Sequence, residues 1–72
     1  MKIFLAGASG VIGQRLTLLL LIAGHAVVGT TRSAERAAQL KARGAAAIVV
    51  DVFDADALRD AMVRARPAVV IH

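Results

Sequence analysis

The 72-residue sequence has no cysteine, no tryptophan and no tyrosine, one proline (Pro67) and only two aromatic residues, Phe4 and Phe53. Without cysteine there is no disulfide and no thiolate metal site, an absence that suits a reducing cytoplasm. No apolar run is long. Leu18 to Ala23 falls well short of the about 20 residues needed to span a bilayer, and Ile3 to Ala6 behind Lys2 is too short for the core of a secretion signal. A soluble, cytoplasmic chain is expected. Acidic residues are also scarce, five against nine lysines and arginines, for a net charge of +4. That balance favours an anionic partner, a phosphate ligand or nucleic acid, or is simply a solvated basic surface.

What is present is apolar: 58% of residues are hydrophobic and 19% charged, a composition that argues against disorder. The length allows one domain at most. Chains of this size bury only about 60% of their unfolded surface, and scaffolds below roughly 70–80 residues usually need a disulfide, a metal or a partner.

Ile3 to Ala6 reads as a strand, followed by a helical pattern from Val11 that Gly24 ends. The expected inward stripe of that helix is Ile12, Leu16, Leu19, Leu20 and Ala23, with Leu18 and Leu21 turned away beside Gln14 and Thr17. Ala26 to Thr31 is β-branched and strand-like. Ser33 is placed to cap a second helix, Ala34 to Arg43, with Glu35 in its first turn, Lys41 and Arg43 in its last, and Gly44 closing it. Ala46 to Asp51 reads as a third strand buried on both faces. Asp54 caps a third helix with the apolar stripe Leu58, Ala61, Met62 and Ala65. Pro67 stops it, and Ala68 to Ile71 reads as a fourth strand.

The order β-α-β-α-β-α-β with short connections predicts an α/β fold, a parallel sheet with right-handed crossovers in three layers. The strand order of a doubly wound sheet, 3-2-1-4, would put two helices on one face and one on the other. Strand four would then be an unprotected apolar edge. With Leu18 and Leu21 outside the stripe, that edge suggests a missing second half, a self-associating chain or a domain-swapped dimer.

The segment Lys2-Ile-Phe-Leu-Ala-Gly-Ala-Ser-Gly-Val-Ile-Gly13 joins a strand to a helix through three glycines, Gly7, Gly10 and Gly13. Helix N-termini carry unpaired N–H groups and the positive end of the helix dipole. Glycines let the chain turn sharply and let a pyrophosphate reach the backbone. The spacing is Gly-x-x-Gly-x-x-Gly rather than Gly-x-Gly-x-x-Gly, and no Gly-Lys-Ser/Thr follows, which excludes a P-loop.

This pattern resembles the extended and atypical short-chain dehydrogenase/reductase superfamily, in particular its NAD(P)-dependent epimerase/dehydratase branch. Ala23 to Gly29, Thr31-Arg32-Ser33, Asp51-Val52 and Val69 to His72 resemble later landmarks of that family. The resemblance implies a partial Rossmann fold, residues 1–72 being the N-terminal half of an NAD(P)-binding domain. It implies that Gly7 makes the turn, that Ser9, Gly10, Val11 and Ile12 approach the pyrophosphate, and that Gly13 allows close helix packing. Asp51 and Val52 then border the adenine, with the Asp51 carboxylate near its exocyclic amine. The other reading of Asp51 is a residue that starts the turn toward Asp54.

NAD binders carry an acidic residue about 20 residues after the glycines, on the ribose 2′-hydroxyl. Here the segment is Thr30-Thr31-Arg32-Ser33, with a guanidinium where the carboxylate would be. Arginine suits a phosphate, so NADP is the expected cofactor, held by Arg32 and Ser33, with NAD the alternative. Arg36, one turn on, supports or repeats that charge. The superfamily's Tyr-x-x-x-Lys acid/base pair has no counterpart here, since there is no tyrosine and the only lysines are Lys2 and Lys41. His25 is expected at the surface, away from the ligand end, and His72 at the ligand end without an orienting partner. No catalytic residue and no metal site are assigned.

The expected function is the NADP(H)-binding segment of an oxidoreductase or a sugar-nucleotide epimerase/dehydratase-like protein, without its catalytic half. The alternatives are a non-enzymatic NADP sensor and a basic nucleic-acid-binding module using Arg32, Arg36, Lys41 and Arg43, which the scarcity of aromatics disfavours.

Overall fold

The structure, a computed structural model, describes residues 1–71; His72 and the reading attached to it lie outside the described residues. Seven elements follow in order: β1 (Lys2–Leu5), α1 (Val11–Ile22), β2 (Ala26–Thr31), α2 (Ala34–Ala42), β3 (Ala46–Val49), α3 (Ala55–Ala65) and β4 (Val69–Ile71). The four strands form one parallel sheet in the order β3-β2-β1-β4. The expected α/β topology is the observed one.

Side chains alternate across β1 and β2 and so divide the core into two layers. Phe4 and Val28 face α3 and pack with Leu58, Ala61 and Ala65. Leu5 and Val27 face the other way, with Ala8, Leu40 and Ala45, against Leu16, Leu20 and Leu21 of α1. Phe4 is fully buried, a burial that contributes about 2–3 kcal/mol. The change of face after β3 follows from the right-handed crossover rule, because the chain reverses direction across the sheet to reach β4.

Three sequence expectations are corrected. The inward face of α1 is not Ile12, Leu16, Leu19, Leu20 and Ala23. Leu16 and Leu20 do pack on the core, but Leu21 joins them. Thr17 is 1% exposed, whereas Ile12 and Leu19 are 83% and 63% exposed. This helix is apolar nearly all round, so periodicity alone gives it no phase. Gly13 supplies one: a Cβ there would stand 2.6 Å from the Gly7 carbonyl oxygen and 2.9 Å from the Ala8 backbone. The helix must turn Gly13 to the loop, and Thr17, Leu20 and Leu21 follow on the same face. Thr17 is satisfied there by donating to the Gly13 carbonyl at 2.7 Å.

The second correction concerns β3, which is an edge strand that ends at Val49, not a strand buried on both faces. Its residues are half-buried or exposed. The Val50 amide still donates to Thr31 at 2.9 Å before the chain leaves the sheet. An apolar composition reveals that a strand touches a core, not its place in the sheet. The third is His25, which is half-buried rather than at the surface. Its Nδ1 is buried without a hydrogen-bond partner among the described residues, because the turn from α1 into β2 folds it inward, its amide bonded to Leu20 at 3.0 Å.

Ser33 and Asp54 cap their helices as expected, accepting from the amides of Arg36 at 3.3 Å and Ala57 at 3.1 Å. At the other end of α3, Lys2 Nζ donates to the Ala65 carbonyl at 2.8 Å and so ties the helix to β1.

Candidate dinucleotide cradle

The loop between β1 and α1 is laid onto β2 by Thr30. The Gly7 amide donates to Thr30 Oγ1 at 2.8 Å, and the Ala8 amide to the Thr30 carbonyl at 2.9 Å. Gly7 makes this turn with φ of 78°, a left-handed conformation that costs a residue with a Cβ about 1–2 kcal/mol. Ala8 then lies over Gly29, where a Cβ would come within 2.6 Å of the Ala8 Cβ. Gly29, Thr30 and Thr17 were not singled out from the sequence. A glycine inside an otherwise β-branched strand is the signal that marks such a close approach.

Beyond Ala8 the chain opens α1 at Gly10. This N-cap is extended and has no side-chain hydrogen bond to the helix, and the first turn holds no acidic residue. The first helical bond runs from Gln14 N to the Gly10 carbonyl at 2.8 Å, so the amides of Val11, Ile12 and Gly13 have no partner within the helix. Val11 and Ile12 are both exposed, and a Cβ built on Gly10 meets nothing within 4 Å. Unpaired amides, the positive end of a helix dipole and open space beside a glycine make an anion-binding arrangement.

The remaining predicted residues follow the same ends of neighbouring strands. Arg32, exposed, and Ser33, half-buried, leave β2. The Ser33 amide donates to Thr31 Oγ1 at 3.2 Å, which seats the turn. The Ser33 hydroxyl accepts the capping bond and keeps its own hydrogen to donate. Asp51 and Val52 leave β3. Asp51 acts in the turn, with Oδ1 accepting from Phe53 N and its carbonyl from Asp54 N, both at 2.9 Å, while Val52 packs against the α3 layer. In a parallel sheet these three loops share the C-terminal edge, where doubly wound folds bind ligands. Arg36 adds a link that the sequence did not reveal: its Nη1 donates to the Ser9 carbonyl at 3.0 Å. The residues present fit a dinucleotide, since the cradle offers amides and open space and places no carboxylate in the first turn of α1.

Comparison with known proteins agrees with this geometry. The profile of the NAD dependent epimerase/dehydratase family matches residues 3–72. The chain belongs to that family. This epimerase/dehydratase-family chain is 39% identical, over its whole length, to 22% of the 3-diazoavenalumate denitrifying reductase of a Streptomyces species. It is 46% identical over 59 residues, 82% of the chain, to 20% of an uncharacterized protein of Schizosaccharomyces pombe. A crystal structure of an oxidoreductase of the short chain dehydrogenase/reductase family from Burkholderia thailandensis superposes with a TM-score of 0.80 at 34% identity, covering 96% of this chain and 29% of that one. The family member described here therefore spans about a fifth of the curated relatives it matches. Its fold is of the short-chain dehydrogenase/reductase type, and a nicotinamide dinucleotide is the family's cofactor. Among the described residues no helix is long and apolar enough to cross a membrane.

Proposed function

We propose that residues 1–72 are the NADP(H)-binding half of a Rossmann domain in an oxidoreductase, with the acid/base groups of the reaction supplied by residues outside this segment. The observation that carries the reading is the open N-terminus of α1 combined with Arg32, rather than a carboxylate, beyond the end of β2. In this reading Gly7 and Gly13 shape the cradle, and Ser9, Gly10, Val11 and Ile12 face the pyrophosphate. Arg32 and Ser33 hold the 2′-phosphate, and Asp51 and Val52 border the adenine. The bound dinucleotide supplies hydride transfer; the residues of this chain bind and orient it. The reductase and oxidoreductase names of two relatives support redox chemistry over epimerisation.

The test is a calorimetric titration of the protein with NADP and NAD side by side. NADP should bind more tightly, and Arg32→Ala should weaken it selectively by about 1–3 kcal/mol, the range for a lost hydrogen bond to a charged group. Equal affinities for the two dinucleotides would remove Arg32 from the site, and no binding of either would overturn the reading as a whole.

A further inference from the structure

Arg36 stands in the first turn of α2, where the helix dipole disfavours a cation. Local helix stability therefore does not account for it. Its Nη1 reaches across to the Ser9 carbonyl at 3.0 Å, and that same oxygen accepts from Gln14 Nε2 at 2.8 Å. A carbonyl oxygen has two lone pairs, and here each has a side-chain donor. Arg36, Gln14 and Ser9 also line one small cavity with Gln39 and Leu40.

The peptide between Ser9 and Gly10 is trans, as the chain has no cis bond among the described residues, and planar, so its C=O and N–H point in opposite directions. Holding the Ser9 carbonyl toward α2 turns the Gly10 amide the other way. Gly10 brings no side chain to steady the plane, and nothing lies within 4 Å of where its Cβ would be. If this plane turned over, a carbonyl oxygen would replace an amide hydrogen beside the open end of α1 and repel an anion there.

We propose that Arg36, assisted by Gln14, is a positioning residue for the pyrophosphate of the dinucleotide: it fixes the Ser9–Gly10 peptide with its amide available and its carbonyl averted. The assignment rests on the reading above that this loop receives the pyrophosphate. It separates the two arginines. Arg32 acts on the 2′-phosphate that only NADP carries, while Arg36 acts on what NAD and NADP share.

The experiment measures NADP and NAD affinities of the protein and of its Arg36→Met, Arg36→Lys and Gln14→Leu variants, together with the NMR order parameter of the Gly10 N–H without ligand. Arg36→Met should weaken both dinucleotides by the same factor, roughly 3- to 30-fold, with their ratio unchanged. Arg36→Lys, which keeps a charged donor, should restore most of the loss. Gln14→Leu should give the same pattern more weakly, and the order parameter of the Gly10 N–H should fall in Arg36→Met. A loss confined to NADP would assign Arg36 to the 2′-phosphate instead, and unchanged affinity with an unchanged Gly10 order parameter would show the bond to Ser9 to be idle. Should the parent protein bind neither dinucleotide, the preceding reading fails. The Gly10 order parameter then decides separately whether Arg36 holds the peptide.

Discussion

The three helices begin at the same edge of the sheet, yet they begin in two different ways. Ser33 and Asp54 close α2 and α3 with side-chain oxygens, and Glu35 and Asp56 place negative charge in their first turns. Helix α1 has a glycine cap, no side-chain bond and no acidic residue. A glycine cap in place of a side-chain cap costs about a few tenths of a kcal/mol of helix stability. Helix α3 shows that this sequence supplies a side-chain cap where only folding is at stake, while Ser33 caps α2 and keeps its hydroxyl hydrogen free to donate. At α1 the amides stay open, as the proposed pyrophosphate site requires, and the close packing of Gly13 on the loop and the buried Thr17 hold the helix in place.

The comparison can be broken at its foundation by Gly13→Ala. The new methyl would meet backbone rather than a yielding side chain, so stability should fall by about 3 kcal/mol, as for severe overpacking, measured by denaturant unfolding. A change of only a few tenths would remove Gly13 as the residue that sets the phase of α1.

Gly10→Asp makes α1 resemble its neighbours. The backbone at Gly10 is extended, with φ of −71° and ψ of 171°, so the carboxylate can serve as a cap. Unfolding should shift upward by about a few tenths of a kcal/mol. Dinucleotide affinity should drop by about a hundredfold, since like charges would stand a few ångströms apart. Retained affinity would mean that the open amides are not where the pyrophosphate goes. The smallest change is at a closed helix. Asp54→Ala should lower stability by about 1 kcal/mol in the same unfolding measurement, and Asp54→Asn, which keeps a capping oxygen, should recover most of it.

Much of this contrast is legible along the chain, because caps, glycine turns and their helices are contiguous. Ser33, Asp54 and the run from Gly7 to Gly13 declare themselves within a few residues. The phase of α1 does not, because leucines surround it and the deciding contact, Gly13 on Gly7 and Ala8, is steric. The hold of Thr30 on Gly7 and of Arg36 on Ser9 joins residues more than twenty positions apart, and no local pattern announces such pairs. The edge position of β3 follows from the expected strand order, but its apolar run Ala46 to Val50 reads as buried on both faces, because composition does not register how little of an edge strand its neighbours cover.

Because β1 lies between β2 and β4, the earliest strand of the described sheet gains its second partner only from the latest one. Ile3 can pair with Val27 once the first βα unit has formed, but its other edge must wait for Val69, at the far end of the described chain. Phe4 likewise waits for α3 to cover it. Closing so long a loop costs entropy before any contact returns it, which slows folding. During translation the middle of the future sheet therefore stands as an unpaired apolar edge, the interval in which the nascent chain is most open to mispairing.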